Sequence, residues 1–162
     1  MCYPFDAQPP ESPGAKAEFE GKDLTLTSKD GAAFAAYCAK PAAPSSIGVV
    51  VLPDIRGLFS FYEALARGFA EQGMNAVAFD YFGRTAGAEK RTADWEFMPH
   101  VDQTTHAGLQ ADIGACVGHL RSPAGRVVRA WLTEWRAIPP DVIEAAGIGA
   151  DPGAHQLPRP ER

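Results

Sequence analysis

From Lys22 to Ser28 polar and apolar residues alternate around Leu24 and Leu26, and from Ala32 to Ala39 the pattern resumes around Phe34 and Tyr37. Lys29-Asp30-Gly31 between them supplies turn chemistry, so this stretch predicts an antiparallel hairpin. After a connector rich in Pro and Ser, Ile47-Gly48-Val49-Val50-Val51-Leu52 runs apolar without alternation, as a strand buried on both faces does. Tyr62, Leu65, Ala66 and Phe69 then recur at helical spacing, and Gly73 stands where a glycine ends a helix. The spacing predicts a helix of about four turns near Phe61 to Gln72. Asn75 to Phe79 repeats the continuous apolar run. Leu109, Ile113, Cys116, Val117 and Leu120 form one stripe of a second helix near Gln103 to Leu120. Strand, helix and strand in this order make a right-handed crossover, so the two apolar strands are expected to lie parallel.

The ends read differently. Residues 1–17 contain four prolines and few apolar side chains, and predict a flexible lead-in. Beyond Pro123 the segment Arg126 to Trp135 fits neither period well, Pro139-Pro140 interrupt whatever forms there, and the tail from Gly147 predicts disorder. The 162 residues suit one domain. A formal charge of -5 and a pI near 5.3 exclude a general attraction to nucleic acid or anionic lipid. No run approaches the roughly 20 apolar residues of a membrane span, and the opening residues lack a signal-peptide pattern. A cytoplasmic location is the expectation.

Cys2, Cys38 and Cys116 are widely spaced and form no C-x-x-C pair, which points to reduced thiols, with Cys116 on the apolar face of its helix. His100, His106 and His119 lack ligand spacing, so neither a metal nor another cofactor is called for.

Open α/β sheets bind ligands beyond the carboxyl ends of their parallel strands, and three segments converge there. They are Pro53-Asp54-Ile55-Arg56-Gly57, Asp80-Tyr81-Phe82-Gly83-Arg84 and His100-Val101-Asp102-Gln103-Thr104. A turn such as the first can aim the Ile55 N–H at a developing oxyanion. Read from the residues alone, Asp54 is more simply a cap of the following helix and Arg84 a solvated loop charge.

In this order the segments resemble the dienelactone hydrolase family, over about Asp23 to Arg121. The resemblance implies the N-terminal part of an α/β-hydrolase fold: a hairpin followed by a parallel βαβα unit in a three-layer αβα sandwich. It implies attack of a cysteine or serine on a lactone or ester, with a His and an Asp completing the triad. Asp54 then matches the acidic group that contacts the resting nucleophile, Ile55 an oxyanion-hole donor, and Arg84 the arginine that grips a substrate carboxylate. The implied partner is a small carboxylated lactone or ester.

The family's next strand carries a glycine-flanked nucleophile on a strained turn. Gly125-Arg126-Val127 begins that match; then Thr133 falls at the nucleophile's place, between Trp131 and Trp135. His155 echoes the catalytic histidine but comes too early in the chain. The expected organisation is a lead-in over 1–17, an incomplete dienelactone hydrolase-like domain over 18–125, and a divergent, truncated or out-of-frame segment over 126–162. Two functions follow: an ester or lactone hydrolase inactive as this chain for want of a nucleophile elbow and triad, or a non-catalytic module for small carboxylates. Loss of the next strand would expose a sheet edge and favour self-association.

Overall fold

The computed structural model describes residues 4–121. Strands β1 (Phe19–Thr27) and β2 (Ala33–Pro41) form the hairpin; β3 (Gly48–Val51), helix α1 (Ser60–Glu71) and β4 (Asn75–Phe79) form the crossover. Short helices α2 (Gly83–Ala86) and α3 (Met98–Val101) follow, then the long α4 (His106–Leu120). The sheet order is β1-β2-β4-β3. β1 and β2 pair antiparallel, β2 and β4 antiparallel, and β3 and β4 parallel, with Gly48 opposite Asn75 and Val51 opposite Ala78. This is the α/β architecture expected, with the parallel pair where the apolar runs placed it.

The sheet separates two cores, because side chains alternate across a strand. Ala35, Tyr37, Ala39, Val51, Ala76 and Ala78 face Phe61, Tyr62, Ala66 and Ala70 of α1. Phe34, Ala36, Val77 and Phe79 face Cys116, Leu109, Ile113 and Leu120 of α4. Small residues in the middle strands let both helices come close. Phe34 and Phe79 meet edge to face at 5.7 Å, a geometry worth roughly 0.5–1.5 kcal/mol beyond the area buried.

Helix boundaries follow local chemistry. Gly73, at φ +79°, adopts the left-handed conformation that closes α1; its N–H donates to Ala70 O and that of Met74 to Phe69 O. α4 begins at His106 rather than near Gln103, because Thr105 Oγ1 caps it by accepting the Gly108 N–H at 3.1 Å. The preceding polar stretch forms the separate turn α3, with Pro99 in its first turn.

The lead-in packs more than its composition predicts. Phe5 stacks on Phe59 at 5.0 Å and, with Ala7, borders the α1 core. Ser12 Oγ donates to Gly68 O, and the Ala17 N–H to Glu71 O, tying the segment along α1. β3 is the terminal strand of the described sheet, flanked by the exposed side chains of Ile47 and Leu52. The expectations for Thr133, His155 and the divergent segment 126–162 lie outside the described residues.

Candidate functional site at the strand ends

β3 and β4 run parallel, so the loops that leave their carboxyl ends lie side by side. Residues 52–59 and 80–87 form these loops, and several contacts lock the first. The Asp54 N–H donates to Tyr62 Oη at 2.9 Å, and Asp54 O accepts from Tyr81 Oη at 2.8 Å and from the Gly57 N–H. Asp54 Oδ1 accepts the Arg56 N–H at 2.9 Å, an Asx-type turn. Burial pushes the Tyr62 hydroxyl up to about 12, so it stays protonated. Within this frame the Ile55 N–H has no hydrogen-bond partner among the described residues, and the Ile55 side chain is exposed.

Asp80, fully buried at the end of β4, joins the two loops. Its carboxylate accepts N–H groups from Leu58 and Phe82 and two from Arg91, whose Nε lies 2.8 Å and Nη2 2.5 Å from Oδ2. Arg91 also donates to Ala86 O and Gly87 O and lies over the Trp95 ring. Burial pushes the Asp80 carboxyl above its usual range, against the pull of Arg91. Gly57 is required here twice over: its φ is +76°, and a Cβ would lie 2.5 Å from Asp80 Oδ1.

Arg84 is held by carboxylates of the chain itself. Gly83 has no room for a Cβ against Ala33 and Phe34, so α2 sits directly on β2 and sends Arg84 toward α4. There Nη1 lies 2.6 Å from Asp30 Oδ2, Nη2 lies 2.7 Å from Asp112 Oδ1, and Nη2 also donates to Gly108 O. Asp112 is almost wholly buried and accepts a further bond from Ser28 Oγ. Its hydrogen bonds to Asp30 and Asp112 raise the Arg84 pKa. The structure thus joins Arg84 to the hairpin turn and α4, whereas Asp54 and Ile55 share the β3 turn. A small cavity of about 10 Å³, the room of one water, lies between Arg84, Tyr81 and the start of α4.

The sequence reading missed Tyr62, Tyr81, Arg91 and Asp112 as site-building residues. Asp112 carried a signal, since a carboxylate between Leu109 and Cys116 on an apolar stripe demands a partner. Arg91 carried none, lying in a polar loop. Among the described residues a single hydroxyl–imidazole contact occurs, Thr85 Oγ1 to His100 Nδ1 at 2.9 Å; the ring is stacked on Trp95 at 5.1 Å. No group of three His, Cys, Asp or Glu side chains gathers there as a metal site. No described helix is long and apolar enough to cross a membrane.

The sequence profile of the Dienelactone hydrolase family matches residues 34–129, more than half of the 162. The chain belongs to the dienelactone hydrolase family. Among solved structures it is similar to a putative dienelactone hydrolase from Klebsiella pneumoniae subsp. pneumoniae MGH 78578. The identity is 22% and the TM-score 0.52, over 64% of this chain and 44% of that one. A structure described as m3DLH matches at 22% identity and TM-score 0.46, covering 61% and 40%. Brefeldin A esterase, described as a bacterial homologue of human hormone sensitive lipase, matches at 14% identity and TM-score 0.45, covering 82% and 40%. No curated protein sequence matches. This dienelactone hydrolase family chain therefore spans less than half the length of these structures.

Proposed function

We propose that the turn after β3 is the oxyanion side of an ester or lactone hydrolase site, with Ile55 as backbone donor and Asp54 as the acid facing the nucleophile's position. The observation that carries this reading is the Ile55 N–H, unpartnered on a turn held from three sides. A donor fixed before charge develops costs no reorganisation at the moment of reaction. Asp54 already has its Oδ1 committed to the turn, leaving Oδ2, which has a long 3.4 Å contact with Arg56 Nη2, to answer a nucleophile.

By this proposal the chain alone has binding geometry without turnover. Thr85 lies within α2 with its hydroxyl also turned toward Phe82 O, and Cys38 and Cys116 are buried in the sheet and α4. Thr133 lacks the flanking glycines that a strained elbow uses. The purified chain should hydrolyse p-nitrophenyl acetate and dihydrocoumarin at the buffer rate. Turnover abolished by Thr133→Ala, Thr85→Ala or a cysteine substitution would overturn that. The donor role is read separately: titration with acetate should shift the Ile55 amide resonance, and an unmoved resonance would remove the oxyanion assignment.

A further inference from the structure

We propose that Phe5 is a positioning residue for the turn after β3, and that residues 4–17 form a strap whose docking sets how firmly that turn holds the Ile55 N–H. This rests on the reading of Ile55 as the oxyanion donor and adds the segment that keeps the donor in place. The strap runs back along α1. At the end of the helix the Ala17 N–H donates to Glu71 O at 2.8 Å, and Lys16 Nζ lies 3.2 Å from Glu71 Oε2. About one turn earlier Ser12 Oγ donates to Gly68 O at 3.1 Å. At the start of α1 Ser60 Oγ donates to Phe5 O at 3.2 Å, and the Phe5 ring stacks on Phe59 at 5.0 Å. Four prolines within residues 1–17 stiffen the segment, so less chain entropy is lost when Phe5 docks.

Phe59 is where the strap meets the turn. It stands at the N-cap of α1, makes no side-chain cap there, and is 2% exposed, so ring packing rather than a polar cap holds the start of the helix. The Tyr62 ring meets Phe59 edge to face at 5.1 Å, and the Arg56 guanidinium lies 5.1 Å from the Phe59 centroid. Both neighbours act on the turn. The Tyr62 hydroxyl accepts the Asp54 N–H, and Arg56, the residue after Ile55, donates its own N–H to Asp54 Oδ1. Close-packed side chains transmit a shift to their neighbours, so uncovering Phe59 should loosen Tyr62 and Arg56 together, and the turn with them.

The test uses the whole chain labelled with ¹⁵N, under conditions where hydrogen exchange reports the opening equilibrium. In Phe5→Ala the Asp54, Arg56 and Gly57 amides, the bonded N–H groups of the turn, should exchange about tenfold faster for loss of the stacked ring, while the β4 amides keep their wild-type rates. The acetate midpoint of the Ile55 amide should rise about twofold or more, since a donor binds in proportion to the time its turn is closed. Phe5→Tyr keeps a ring that stacks and should restore both readouts. Ser60→Ala, a milder change, should move both in the same direction as Phe5→Ala, and decides the question where Phe5→Ala loses the fold. Equal acceleration in β4 and in the turn would make Phe5 a general core residue and overturn the proposal. So would turn amides or an acetate midpoint that stay at wild-type values. An Ile55 amide that ignores acetate in the wild type would remove the donor reading, and the exchange rates would still decide whether the strap holds the turn.

Discussion

Replacing Arg84 by methionine tests whether this arginine holds the fold or awaits a substrate. The change keeps much of the aliphatic stem but removes the cation facing Asp112, which is 1% exposed and retains only Ser28 Oγ as a described donor. Breaking a buried ion pair by removing one partner costs about 3–5 kcal/mol, because the other charge is left uncompensated. The Arg84 side chain is 25% exposed, so water reaches part of the site and the lower end, about 3 kcal/mol, applies. Arg84 links α2 to Asp112 on α4 and to Asp30 in the hairpin turn, so the loss should fall on α4. Hydrogen exchange of the α4 amides, under conditions where rates report the opening equilibrium, should accelerate roughly 100-fold, since 1.4 kcal/mol is a factor of ten. Adding Asp112→Asn to Arg84→Met removes the stranded charge and should recover much of that protection, giving a strongly non-additive cycle. An acceleration of less than about threefold in Arg84→Met, within the ±0.5 kcal/mol of an ordinary surface substitution, would refute the staple.

Three further outcomes follow from separate contacts. Asp30 has its carboxyl held below the usual range by its hydrogen bond to Arg84, so its contribution to stability is present above pH 3.8 and lost as pH falls through the folded value; NMR titration should show it returning toward the ordinary value in Arg84→Gln. Burial pushes the Cys116 thiol up to about 12, leaving about one thiolate in ten thousand at pH 8, and Cys38 is raised for the same reason. Ellman's reagent should therefore label neither without denaturant, and rapid labelling of either would contradict the burial. β3 ends the described sheet between exposed Ile47 and Leu52, so the chain should self-associate in light scattering and Ile47→Lys should reduce it; a monodisperse wild-type monomer would show the edge to be covered.

Periodicity made most of the fold legible. The runs at 47–52 and 75–79 are continuous because helices cover both faces of β3 and β4, and the stripes at 62–69 and 109–120 are the faces that cover them. α2 and α3 were not legible, being single turns set by Gly83 packing on β2 and by Pro99. Phe5 was not legible either: one aromatic among prolines has no period, and its docking depends on where Phe59 is left by the fold. At the site, Asp54 and Ile55 could be placed on one turn because the end of an apolar strand fixes where a turn begins. The partners of Arg84 could not, because Asp30 lies 54 residues away and Asp112 lies 28 away, with nothing local to link them.

Motif residues in this chain divide by what they touch. Gly57 admits Asp80 beneath the first loop, Gly83 admits β2 beneath α2, and Asp80 with Arg91 fastens both loops to the sheet; each serves position. Arg84 is tied by contact to Asp30 and Asp112. On the first loop the Ile55 N–H has no partner among the described residues, on a turn held by Tyr62 and Tyr81. Unpaired donors in an otherwise satisfied loop are where fold stability gives way to binding, since a sequence selected for stability alone would cap them. On that ground Tyr62→Phe, which removes the hydroxyl that accepts the Asp54 N–H, should loosen the turn and weaken the acetate response of the Ile55 amide while leaving the Arg84 staple intact. An unchanged acetate response of the Ile55 amide in that variant, with the Arg84–Asp112 contact preserved by its NMR signals, would break the link between the rigid turn and the donor.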